Sequence, residues 1–163
     1  MTISGTILAG LPPILDRDTR ILILGSFPGE ASLMAQQYYA HPRNQFWKLL
    51  SSILHEDLVG LPYPERLARL QAHAIGLWDV IAACERKGSL DAAIRNARAN
   101  DFAALKKRCP SLTRVCFNGK TSGKLAPEFD SAGFETVVLP SSSPANAQLS
   151  FAQKLALWQN ITG

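Results

Sequence analysis

Ile21-Leu22-Ile23-Leu24 is a run of aliphatic residues that ends at Gly25 and then meets Pro28-Gly29. A short apolar run closed by turn residues predicts a strand buried on both faces. Arg114 to Asn118, closed by Gly119, and Glu135 to Leu139, broken by Pro140, predict two more strands. Between them the period lengthens. Phe46, Leu49, Leu50 and Ile53 fall at i, i+3, i+4 and i+7, which is one face of a helix. Pro62 and Pro64 suit a helix start before Glu65 to Ala72, where Leu67, Leu70 and Ala74 form a weaker stripe. Ala74 to Ile81 reads as extended or short-helical. Asp101 to Cys109 predicts a helix stopped by Pro110, and another helix is expected after Gly119. Leu149, Ala152, Leu155, Ala156 and Trp158 mark a closing helix. Strands alternating with helices predict a parallel sheet covered on both faces, a three-layer α/β domain.

Composition narrows the class. With 163 residues, 47% of them apolar and 18% charged, the chain suits a single domain over 1–163. No apolar run approaches the ~20 residues that span a bilayer, and Met1 to Thr6 lacks the charged start and apolar stretch of a signal peptide. Cys84, Cys109 and Cys116 are odd in number and contain no CxxC pair, so no disulfide framework or metal cluster is expected. These features predict a reduced, cytoplasmic protein without metal or cofactor. The net charge of +4 is uneven: Arg95, Arg98, Lys106, Lys107, Arg108, Arg114, Lys120 and Lys124 face only Asp101 within residues 95–124. Such a segment suits a polyanion, or simply a solvated helix face.

In open parallel sheets, ligands bind beyond the carboxyl ends of the strands. That directs attention to Gly25 to Asn44, Asn118 to Thr121 and Pro140 to Asn146. The chain has no GxGxxG, GxxxxGK[ST] or GxSxG, and no close histidine pair. Tyr38-Tyr39-Ala40-His41-Pro42-Arg43-Asn44-Gln45-Phe46-Trp47 instead gathers aromatic, imidazole, guanidinium and amide groups ahead of a helix. Each has an ordinary alternative. Asn44 suits the cap of that helix, Asn118 a turn before Gly119, Tyr39 a core position and His41 a packed loop. Ser141, Ser142, Ser143 and Pro144 suit a plain loop with Asn146 or Ala147 starting the last helix, and Arg43, Lys120 and Lys124 suit a solvated surface.

Taken in order, these motifs resemble the uracil-DNA glycosylase superfamily, and within it the hypoxanthine-DNA (deoxyinosine) glycosylase family. Gly25-Ser26-Phe27-Pro28-Gly29-Glu30-Ala31-Ser32 is similar to its first motif, and His41-Pro42-Arg43-Asn44-Gln45-Phe46-Trp47 to its HPxNxFW segment. Leu139-Pro140-Ser141-Ser142-Ser143-Pro144-Ala145-Asn146 resembles the motif of the DNA-inserting loop, and Phe117-Asn118-Gly119-Lys120 is a fourth match. In thymine and mismatch-uracil relatives the first motif reads G-I-N-P-G, and this chain has Phe27 where they have the water-positioning asparagine. Phe27 suits the hypoxanthine family, which places its key asparagine in HPxNxFW.

The resemblance implies an α/β/α fold with a central four-stranded parallel sheet. It implies a monofunctional glycosylase of base excision repair, acting as a monomer on DNA that contains a deaminated base and leaving an abasic site. Asn44 would be catalytic. Tyr39 would stack on the base, with Asn118, Phe27 and His41 also at the base, and Ser141, Ser142, Ser143, Pro144, Arg43 and Lys120 on the DNA. Breaking a base–sugar bond leaves a cation-like sugar and an electron-rich base, which needs hydrogen-bond donors and a water but no metal. An amide positions a water or the base without acting as a strong base. Hypoxanthine and uracil share a carbonyl beside a ring N–H, so a uracil or mismatch-specific glycosylase stays open. So do a catalytically silent damage-binding module and a hydrolase of free nucleosides.

Overall fold

The computed structural model describes residues 6–163, so the leader reading of Met1 to Thr6 lies, but for Thr6, outside the described residues. In chain order β1 (Ile7–Ala9) is followed by β2 (Ile21–Gly25), α1 (Glu30–Ala35), α2 (Phe46–Leu54), α3 (Tyr63–Ala72), β3 (Ile75–Asp79), β4 (Ile81–Glu85) and β5 (Arg95–Ala99). Then come α4 (Leu105–Arg108), β6 (Arg114–Asn118), α5 (Lys120–Gly123), α6 (Ala126–Ser131), β7 (Glu135–Leu139) and α7 (Phe151–Trp158). Strands β3, β2, β6 and β7, in that order, form a four-stranded parallel sheet.

Alternation along β2 explains its burial on both sides. Ile23, with Cys116 and Leu77, packs toward Leu49, Leu50 and Trp158 of α2 and α7. Leu22 and Leu24, with Val115 and Phe117, join the opposite core with Leu105 of α4 and Phe129 of α6. Helices therefore cover both faces, as the apolar runs predict. From β2 the chain passes to β3 on one side, and later crosses to β6 on the other. The switch point lies between the carboxyl ends of β2 and β6, at Gly25 and Asn118. Open α/β sheets bind ligands at such a point.

One open reading is settled and three expectations change. Ala74 to Ile81 resolves into β3, which runs at once into a second, antiparallel sheet of order β1-β4-β5 that the periodicity did not suggest. All five residues of β5, Arg-Asn-Ala-Arg-Ala, are exposed, so it has no buried face to create a pattern. The helix expected over Asp101 to Cys109 shrinks to α4, because the Ala103 N–H donates to Asp101 Oδ1 (2.9 Å) and turns the chain first. The closing helix starts at Phe151, where Ser150 and Gln153 form a reciprocal capping box. Nor is the basic stretch one anionic-ligand face. Arg114 is half-buried, donates to the carbonyls of Asn160 (3.2 Å) and Ile161 (2.7 Å) and pairs with Glu135, while Lys106 caps the Ala132 carbonyl. Arg114 opens β6 and Asn118 closes it, so this arginine sits at the far end of the sheet from the switch point. Among the described residues, no helix is long and apolar enough to cross a membrane.

Candidate active site

A cleft of about 740 Å³ opens over the carboxyl ends of β2, β3 and β6. Its lining includes Phe27, Tyr39, His41, Asn44, Asn118, Lys120 and Ser141 to Asn146, so three loops distant in sequence meet there. Arg43 is exposed and stands outside that lining.

Two asparagines are oriented by one serine. The Ser142 backbone N–H donates to Asn118 Oδ1 (2.9 Å), and the Phe46 N–H donates to Asn44 Oδ1 (2.9 Å). A backbone N–H can only donate, so each contact settles which end of the amide is oxygen. Asn118 Nδ2 then donates to Ser142 Oγ (2.9 Å), which passes its own proton toward Asn44 Oδ1 (2.8 Å). Both lone pairs of Asn44 Oδ1 are engaged, and its Nδ2 donors are left for the cleft. The contact with Phe46 satisfies an N–H at the start of α2, but the N-cap of that helix is Gln45 and not Asn44, which lies one residue before it. Ser142 is almost wholly buried, 1% exposed, and holds the amides from behind. The loop is pinned by Gln45 N–H to Ser142 carbonyl (3.0 Å) and Trp158 Nε1–H to Pro140 carbonyl (2.8 Å). Ser141 and Ser143 accept from the N–H groups of Ser143 and Ala145, both at 3.1 Å, which stiffens the turn around exposed Pro144.

Tyr39 sits in the left-handed region at φ 56°, unusual for a bulky residue and costly without support. Its ring stacks on Phe46, with centroids 4.0 Å apart and planes at 20°. Phe27 is buried on the cleft wall with the Arg86 guanidinium 5.2 Å from its ring centre. His41 is exposed at the mouth, and the Arg43 N–H donates to its Nδ1 (3.0 Å), so the neutral ring carries its proton on Nε2. Lys120 is exposed at the start of α5, directly after Gly119 at φ 103°. The Ser141 Cβ lies 3.3 Å from where a Gly119 side chain would begin, so both the dihedral and the loop contact call for glycine.

The structure adds acidic residues to the cleft that the motifs did not single out. Asp79, the last residue of β3, lies in register with Gly25 and is 4% exposed. Burial first, and then the charge of Asp91, pushes its carboxyl up to about 7. Ser26 Oγ donates to Asp91 Oδ1 (2.6 Å), tying the first motif to the loop beyond β4. Burial above all, then the Asp79 charge, raises the Tyr39 hydroxyl, with the Asn118 side chain opposing. A carboxylate inside Leu77-Trp78-Asp79-Val80-Ile81 was the available signal, because an acid in an apolar run is rarely idle.

Residues 12–162 match the family described as Uracil DNA glycosylase superfamily. The chain is 49% identical over 137 residues to a protein of Methanosarcina barkeri named hypoxanthine DNA glycosylase, covering 84% of this chain and 87% of that one. A second protein of that name, from Methanosarcina acetivorans, is 45% identical over 141 residues, 86% of this chain and 89% of its own. The solution NMR structure of a candidate uracil DNA glycosylase from Methanosarcina acetivorans superposes with a TM-score of 0.86 at 41% identity, covering 97% of this chain and all of the other.

Proposed function

The chain belongs to the uracil DNA glycosylase superfamily, and from that premise we propose that it excises hypoxanthine from deoxyinosine in DNA, hydrolysing the N-glycosidic bond and leaving an abasic site. The observation that carries this reading is the directed Asn118–Ser142–Asn44 network, which commits the Asn44 oxygen to protein donors and leaves its Nδ2 group to the cleft. A base leaving with the bonding electrons needs donors aimed at it, and donors already oriented need no reorganisation during the reaction.

In this reading Asn44 donates to the attacking water or to the base, and Asn118 offers its remaining donor and lone pair to the carbonyl and ring N–H of hypoxanthine. Tyr39 gives the base a flat surface, backed by Phe46. Phe27 walls the cleft and His41 donates from Nε2 at its mouth. Ser141, Ser143, Pro144, Arg43 and Lys120 contact the flanking phosphates, and Ser142 acts one step behind them. A single chain supplies every one of these groups, which supports action as a monomer.

The test uses end-labelled duplexes carrying one deoxyinosine or one uracil, treated with the protein and then with alkali. Strand breakage at deoxyinosine is expected, reduced about 10²-fold to 10³-fold in Asn44→Ala, the range for loss of one transition-state donor. Breakage at uracil alone would correct the substrate. No breakage at either base would overturn the proposal.

A further inference from the structure

Asp79 has no part in the network just described, yet it lies in the lining of the same cleft. Its Oδ2 is buried without a hydrogen-bond partner, and the buried Tyr39 hydroxyl has the Asn118 side chain near it but makes no hydrogen bond of ordinary geometry. Both groups pack so closely on the Gly25 backbone that only glycine fits: a Cβ there would stand 2.6 Å from Asp79 Oδ1 and 3.0 Å from Tyr39 Oη. Two buried polar groups without partners, packed side by side against Gly25 in the lining of the cleft, mark a place where a ligand's polar edge completes the bonding.

The surroundings favour the neutral acid. Tyr38 and Tyr39 face Asp79 from the loop after α1, and Asp91 faces it from the loop after β4. Asn100 donates to the Asp79 backbone carbonyl (2.7 Å) and leaves the carboxyl alone. None of the described ion pairs includes Asp79. A charged carboxylate buried without a cation is costly, so the group retains a proton to about pH 7. A neutral carboxyl, unlike a carboxylate, is a donor.

Resting on the reading of the site as a hypoxanthine glycosylase, we propose that Asp79 is the acid of the reaction, delivering its carboxyl proton to a ring nitrogen of the purine as the base departs. The C1′–N9 electron pair goes to the base, and the base nitrogen takes the Asp79 proton. The water oxygen bonds to C1′, and the proton it sheds passes to solvent. Asp79 recovers a proton from solvent before the next turnover. The Tyr39 hydroxyl, unpartnered at the same corner, donates to the carboxylate during the interval. A purine has ring nitrogens outside the glycosidic bond that can take this proton.

Single-turnover excision from a deoxyinosine duplex, followed against pH, tests the assignment. Wild-type protein is expected to lose rate in step with the protonated fraction as pH rises through about 7. Asp79→Asn keeps the shape and a donor but cannot release a proton, so it should be slower by about 10²-fold, the lower range for a general acid, and show no falling limb. His41→Gln should retain the limb, which separates the carboxyl from the histidine at the mouth. If Asp79→Asn does not fold, the wild-type and His41→Gln profiles still decide, because absence of the limb overturns the assignment. An Asp79→Asn protein with the wild-type rate and limb would also overturn it while leaving the glycosylase reading intact. A wild type that releases no hypoxanthine would remove both.

Discussion

Two corners of one cleft are built on opposite rules. At the end of β6, Asn118, Ser142 and Asn44 form a chain of hydrogen bonds that fixes the direction of both amides, with distances of 2.8–2.9 Å. At the ends of β2 and β3, Asp79 and Tyr39 each keep a buried polar atom without a partner. A satisfied network resists rotation of its members, so it suits groups that must hold one direction. An unsatisfied buried group costs stability in the free protein, a cost a ligand can relieve. The closed corner is therefore the fixed frame, and the open corner is where the free protein is least complete.

The contrast can be broken most severely at Gly25. In Gly25→Ala the new Cβ would crowd the Asp79 carboxyl and the Tyr39 hydroxyl, and hypoxanthine excision should fall about 10²-fold, as expected for a misplacement near 1 Å. Single-turnover rates check this, and an unimpaired variant would show that the open corner is idle. Ser142→Ala attacks the closed corner by leaving the Asn118 Nδ2–H without its acceptor. It should destabilise the protein by about 1–3 kcal/mol in urea unfolding, the cost of one unsatisfied buried group. Its excision rate should fall while duplex affinity holds, because Ser142 orients the amides from behind.

Asp79→Asn sharpens the contrast through stability. At pH below the ordinary aspartate value of about 3.9, Asp79 is protonated both folded and unfolded and contributes no pH dependence. Between there and about 7 the folded state holds the proton more tightly, so wild-type stability falls as pH rises. The slope is up to about 1.4 kcal/mol per pH unit, and it levels above the folded value. Melting curves should therefore show the Asn variant gaining on wild type across that window and holding a constant lead above it. Lys120→Ala, at the exposed rim, is the smallest change. It should lower the slope of log affinity against log salt by about 0.9, the share of one phosphate contact, and leave the excision rate of bound duplex unchanged.

How far the sequence reads through to this site depends on where each residue's partners lie. Leu22 and Leu24 alternate with Ile23 across two cores, so β2 is legible from its own four residues, as is α2 from Phe46, Leu49, Leu50 and Ile53. Strand β5 has no such mark, since it is held by pairing with β4 and buries none of its residues. Among the candidate residues, the ordered motifs single out Asn44, Asn118 and the serine loop, and the fold brings them around one cleft. The inward turn of Ser142 is not written beside it, because its neighbours Ser141 and Ser143 have the same side chain and face the loop backbone instead. Asp79 is illegible along the chain for the same kind of reason: its meaning comes from the parallel register that sets it beside Gly25.

The three-layer α/β domain and the chemical types at its switch point can be read along the chain: amides, an aromatic ring and small polar loop residues, without a strong nucleophile's motif. Direction and charge state arise from contacts made on folding. Asn44 and Ser142 are 98 residues apart, and the sense of their hydrogen bond depends on a third partner, Asn118, 24 residues from Ser142. Whether Asp79 holds a proton depends on how completely the fold removes water and cations from it. Hydrogen-bond polarity and desolvation are properties of neighbours in space, and a linear chain does not contain those neighbours until it has folded.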